Sequence, residues 1–144
     1  MIGIIALLSA GRATRMVAGW RVSRGAQAFA EELQTAFALV GRNRKPVTIS
    51  FDNTTMELKI ADRSNVIYRR RNFGMTSSYK FNPSDLTFSS VTRSVEVYPP
   101  GLAGDSLSVE ITRDGAYRRV RMLRGGMVQI CSNRSSPTIP CQPA

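Results

Sequence analysis

The sequence predicts an α+β fold: one long N-terminal helix packed on an antiparallel β domain, in one sheet or in two. Two observations predict it. Between about residues 15 and 40 apolar side chains recur at three- and four-residue steps, the mark of a helix with one buried stripe. From Val47 the apolar period falls to two and stays there, in short runs separated by turn residues, to the C-terminus. The change of period divides the chain into a helical segment, residues 1–45, and an antiparallel β head, residues 46–144. At 144 residues it has the length of one domain and can bury a core without help from a metal.

The elements follow in order. The chain opens on an apolar run, Ile2 to Ala10, which Arg12 and Arg15 interrupt. About nine residues fall well short of the roughly 20 a membrane-spanning helix needs, and the basic start and small-residue cleavage site of a signal peptide are missing. Ile2, Ile4, Ile5, Leu7 and Leu8 are nevertheless too apolar to rest in water and call for a partner. Behind them a helix is expected from Arg15 to Val40. Its stripe is Val22, Ala26, Phe29, Leu33, Phe37 and Val40, which needs the sheet's apolar face as its cover. Arg24, Gln27, Glu31 and Gln34 fall off the stripe, Ser23 is a candidate cap, and Gly41, Asn43 and Pro46 are stop signals.

In the head, Val47-Ile49-Phe51 and Met56-Leu58-Ile60 alternate with polar residues around the turn Asp52–Thr55, which reads as a hairpin. Val66–Tyr68 reads as a third strand ending at Arg69-Arg70-Arg71. Residues 72–93 carry little pattern beyond a strand-like run from Leu86 to Val91. Val95–Tyr98 is a strand closed by Pro99-Pro100-Gly101. Leu107, Val109 and Ile111 lead through Asp114-Gly115, a strong hairpin turn, into a return strand from Tyr117 to Leu123. Gly125-Gly126 turns the chain again into Met127–Ile130. Six to eight strands linked by hairpins are expected.

Charge is abundant and uneven. The net +10 divides into +5 over residues 1–45, +1 over 46–105 and +4 over 106–144. Such an excess attracts polyanions over a Debye length, about 8 Å at physiological salt. Arg113, Arg118, Arg119, Arg121, Arg124 and Arg134 form a basic rim in the last third. Two readings stay open for it: phosphate neutralisation in salt-sensitive DNA binding, or the solvated face of a strand. Cys131 and Cys141 flank a polar, turn-rich segment. They read either as a disulfide closing a small loop, contributing ~2–3 kcal/mol and implying an oxidising compartment, or as two free thiols. Catalysis has little to stand on. The chain has no His, so the commonest general base is missing and a zinc ion on the two cysteines would lack its further ligands, and no phosphate-binding glycine loop occurs. No cofactor and no small-molecule substrate are expected.

Two passages carry a family resemblance. Ile2-Gly-Ile-Ile-Ala-Leu-Leu-Ser-Ala10 looks like the latter half of the hydrophobic helix shared by type IV pilins and type II secretion pseudopilins. Gln27-Ala-Phe-Ala-Glu-Glu-Leu-Gln-Thr-Ala36, followed by Arg42-Asn-Arg-Lys-Pro-Val-Thr-Ile-Ser-Phe51, resembles the helix-to-first-strand passage of the H-type (GspH/FimT-like) pseudopilins and minor pilins. The likeness covers about the first 60 residues. It departs from the family at Gly11-Arg-Ala-Thr-Arg15, where the family is apolar. The family's basic leader, its Gly before the cleavage point and its Glu at the fifth mature position are all lacking, so a member shortened at its N-terminus is expected.

The resemblance implies a structural, non-enzymatic subunit of a type IV pilus or type II secretion filament, at or near its tip. Ile2, Ile4, Ile5, Leu7 and Leu8 would then face neighbouring helices or the inner membrane, and other pilin or pseudopilin subunits would be the partners. The site would be the bacterial inner membrane and periplasm or a surface filament. The alternative within the family is a DNA-binding minor pilin for natural transformation, using the basic rim.

Overall fold

The computed structural model describes the backbone of residues 2–88, 93–132 and 141–144, with their side chains except those of residues 2–10, 12 and 142. One helix, α1 (Ile2–Asn43), precedes ten described strands: β1 (Val47–Asp52), β2 (Glu57–Asp62), β3 (Ile67–Asn72), β4 (Leu86–Phe88), β5 (Ser94–Tyr98), β6 (Leu102–Ala103), β7 (Leu107–Arg113), β8 (Ala116–Met122), β9 (Val128–Cys131) and β10 (Gln142–Pro143). They form two antiparallel five-stranded sheets, in the orders β3-β2-β1-β5-β6 and β10-β9-β8-β7-β4.

The helix is longer than its periodicity predicts. Gly11-Arg-Ala-Thr-Arg15 is helical, and the apolar run and the amphipathic stretch belong to one element. The basic residues change what that stretch faces, not its backbone, because Ala and Arg favour a helix and one Gly costs only about 1 kcal/mol. Ser23 therefore lies mid-helix and caps nothing. The C-terminal stop comes from Arg44, left-handed at φ 51°, whose amide donates to the Val40 carbonyl at 2.9 Å.

Turn chemistry explains the two hairpins. At β1–β2 the Asp52 carboxylate accepts from the Thr54 amide at 2.8 Å, bending the chain so that Ile49 pairs with Ile60. At β7–β8 Asp114 and Gly115 both have positive φ, 48° and 83°, as the tight hairpin turn requires, and Val109 pairs with Val120.

Elsewhere the strands depart from expectation. The third strand does not end at the arginine triplet: β3 contains all of it. Leu86–Val91 is a strand over Leu86–Phe88, and residues 89–92 lie outside the described residues. Hairpins do not make every pairing either, because β5 returns to β1 and β4 pairs with β7.

The core lies where the C-terminal half of α1 crosses both sheets, against β7, β8 and β9 of one and β1 and β5 of the other. Two neighbours instead of one widen the buried surface of the helix. Gly25, Ala28 and Glu32 are buried beside the expected stripe, so about half of the helical circumference is covered. The patternless segment 73–81 supplies Phe73 and Phe81, both fully buried, with Tyr79 packed against them.

Candidate functional site

Along its axis α1 changes environment. From Ala18 onward it is embedded in the head: Val22, Ala26, Phe29, Leu33 and Val40 are fully buried and Phe37 half-buried. The Phe29 ring lies 5.3 Å from that of Phe73 and 6.1 Å from that of Phe51, and its burial contributes about 2–3 kcal/mol. Before Ala18 the helix stands clear. Met16 is 77% exposed and Val17 48%, and just past Ala18 the Trp20 side chain, opposite the buried stripe, is 60% exposed. The side chains of Ile2, Ile4, Ile5, Leu7 and Leu8 lie outside the described residues. Among the described residues, no helix is long and apolar enough to cross a membrane.

Helix and head are also joined by an ionic cluster. Glu32 is completely buried. Arg69 donates to it from Nε at 2.7 Å and 2.9 Å, and Arg71 lies 2.6 Å from its other side. The register supplies both arginines: Arg69 pairs with Ile60 and Arg71 with Leu58, so each shares the core-facing side of its neighbour, while Arg70 faces solvent. Sequence reasoning missed this cluster. Its signal was present in Ala28, Glu32 and Ala36, a four-residue row that places a carboxylate between two buried alanines.

The basic rim is largely paired. Arg119 lies across the strands from Glu110 and donates to its carboxylate at 2.9 Å from Nε, which raises the guanidinium's pKa further. Arg113 lies 3.6 Å from Asp85 and 3.8 Å from Asp114. Arg124 reaches Asp105 at 3.3 Å, and the Asp105 carboxyl is held below its ordinary value by the Ser106 amide first and Arg124 second. Arg118 donates to the Tyr117 carbonyl on the helix-facing side of β8, while Arg121 is exposed on the outer side. The rim is thus split between two faces. Arg134 lies outside the described residues. Among the described residues, no three carboxylates or cysteines converge as a metal site would require.

Cys131 and Cys141 are joined in a disulfide. It brings the C-terminus back to the sheet, where β10 pairs with β9 and the Ala144 carbonyl accepts from Gln34 of α1 at 2.9 Å.

Comparison with solved structures decides the architecture. The crystal structure of the type IV minor pilin FimU of Pseudomonas aeruginosa superposes with a TM-score of 0.61 at 16% identity, over 83% of this chain and 91% of that one. A second crystal form of FimU gives 0.60 at 14% identity, over 83% and 95%. This is a pilin-like fold. The minor pseudopilin EpsH of the Vibrio cholerae type 2 secretion system also shares it, with a TM-score of 0.54 at 15% identity over 78% of this chain and 97% of EpsH. No protein-family model matches the sequence, and no curated protein matches it significantly. What is shared is the architecture, one long N-terminal helix packed on two antiparallel sheets.

Proposed function

We propose that this chain is a minor subunit of a type IV pilus or type II secretion filament, placed at or near the tip and acting by assembly, not by catalysis. The observation that carries the reading is the half-embedded helix: one continuous α1 packs a buried stripe into the head from Ala18 onward, while the described side chains before Ala18, and Trp20 just after it, are exposed. A helix that leaves its own domain with Met16, Val17 and Trp20 uncovered is built to be covered by something else. In a filament, α1 of neighbouring subunits would supply that cover, Ile2, Ile4, Ile5, Leu7 and Leu8 would lie deepest, and the head would form the shell. The compartment is the inner membrane and periplasm or the cell surface, consistent with the disulfide.

The test is cross-linking in cells. Ala13→Cys, on the protruding helix, is expected to cross-link into sheared filaments or a membrane-bound assembly complex. Recovery of the variant solely as uncross-linked monomer would remove the reading.

DNA binding is the second reading, favoured by Arg118 and Arg121, which have no carboxylate partner among the described residues. Retardation of DNA that weakens steeply with salt would support it. Absence of retardation at low salt would dismiss it.

A further inference from the structure

The exposed part of α1 is cationic as well as apolar. The first thirty residues contain Arg12, Arg15, Arg21 and Arg24 and no carboxylate. Met16 and Trp20 are one helical turn apart, as are Ala13 and Val17, so the four make one exposed patch, bordered on the Ala13 and Val17 side by the β7–β8 turn. Arg24 follows one turn later, its guanidinium 5.1 Å from the Trp20 ring centroid. Among the described residues no carboxylate forms an ion pair with Arg15, Arg21 or Arg24. Asp114, at the β7–β8 turn, is the acid that lines the adjoining grooves, with Arg15 in one and with Arg21 and Val17 in the other.

We propose that this band, Trp20 and Met16 with Arg21 and Arg24, is an interfacial anchor for the headgroup region of an anionic lipid bilayer. An indole beside guanidinium groups suits the membrane–water boundary, where the ring enters the acyl edge and the cations meet phosphate. An acidic protein would satisfy the arginines but leave the apolar patch unexplained. A nucleic acid would satisfy the arginines and one stacked ring, not Met16 and Val17. The apolar run Ile2–Ala10 continues the same helix, about 15 Å along the axis from Trp20 to Ala10, so the band occupies the level at which a buried tip gives way to water. The inference rests on the filament reading only for the stage at which this face is free. Vesicle binding needs no filament, so the two can fail separately.

Trp20 is the only tryptophan in the chain, and its fluorescence reports on this band alone. The full chain is titrated with phosphatidylglycerol-containing vesicles and with pure phosphatidylcholine vesicles, following Trp20 emission and co-sedimentation. Binding at least tenfold tighter to the anionic vesicles is expected, with a blue shift and loss in high salt. Each of Arg21→Gln and Arg24→Gln should weaken it about fivefold, Arg24→Lys should not, and circular dichroism should show the helix retained in each. Equal binding to both lipids would overturn the proposal. So would co-sedimentation without a Trp20 shift, which would assign binding to the apolar run. A shift that follows protein concentration without lipid would assign the patch to a second copy of the chain.

Discussion

Two residues of α1 set how closely the helix can lie on the head, and both give sharp expectations. A Cβ on Gly25 would come within 2.4 Å of the Phe81 ring, which is itself fully buried beside Tyr79. Gly25→Ala gains about 1 kcal/mol of helix propensity but forces that ring off its packing, typically at 1–3 kcal/mol. A fall of a few degrees in Tm is therefore expected by calorimetry, although the same substitution at exposed Gly41, where nothing lies within 4 Å, should raise it. Glu32 behaves differently, because what matters is the pair of cations it leaves behind. Glu32→Ala strands Arg69 and Arg71 at the edge of the core, and because both arginines reach solvent the cost is about 2–3 kcal/mol, below that of a fully buried pair. Replacing all three together, by Glu32→Leu with Arg69→Met and Arg71→Met, should recover most of that in urea titrations. If the triple variant were as unstable as Glu32→Ala, the cluster would be a source of net stability and the desolvation argument would be wrong.

Among the elements, those whose cause is local were legible in the sequence. β1–β2 and β7–β8 have strict alternation and a turn with its own chemistry, so the strands and their partners follow from neighbouring residues. The helix's buried stripe was legible for the same reason. What escaped depended on partners distant in the chain. Segment 73–81 has no period because its aromatic residues fill a space beside α1 and β1, and the inward turn of Arg69 and Arg71 has no meaning until Glu32 is placed opposite. At the candidate site, the patch Met16–Val17–Trp20 was overlooked because apolar residues off a helix stripe read as noise until the element is seen to leave its domain. The C-terminal element joins both kinds. Cys131 and Cys141 were visible as a pair, whereas the contact of Ala144 with Gln34 on the helix was not. Removing the disulfide, by Cys131→Ser with Cys141→Ser, should cost ~2–3 kcal/mol. The loss should be local: hydrogen exchange is expected to rise in β10 and around Val128–Cys131 while β7 and β1 stay protected. Uniform loss of protection would mean that the tail closes the whole sheet.

The molecule as a whole carries twenty basic groups against ten acidic ones and no His, which makes its pH response unusually simple. Nothing among its side chains titrates ordinarily between about pH 5.5 and 8.5, since the cysteines are bonded to each other, so stability should be flat there. On the acid side three carboxylates at the surface, Asp52 and Glu96 partly covered and Asp105 exposed, have depressed pKa values in the fold: Asp52 through the Thr54 and Thr55 amides, Glu96 through Arg63 and then Tyr98, and Asp105 through the Ser106 amide and Arg124. A depressed carboxylate contributes stability that is complete above its unfolded value and disappears as pH falls through the folded one. The decline should therefore begin below about pH 4.5. Protonation also removes the partners of Arg63, Arg113, Arg119 and Arg124 and drives the net charge from +10 toward +20. Self-repulsion is then added to the lost pairs, and because it acts between exposed charges it is screened by salt. Tm measured from pH 2 to 8 should be level to about pH 4.5 and fall steeply below it, with 0.5 M salt recovering part of the acid-side loss and changing little at neutrality. A decline centred near pH 6.5 would contradict the account, because no side chain in this chain ordinarily titrates there.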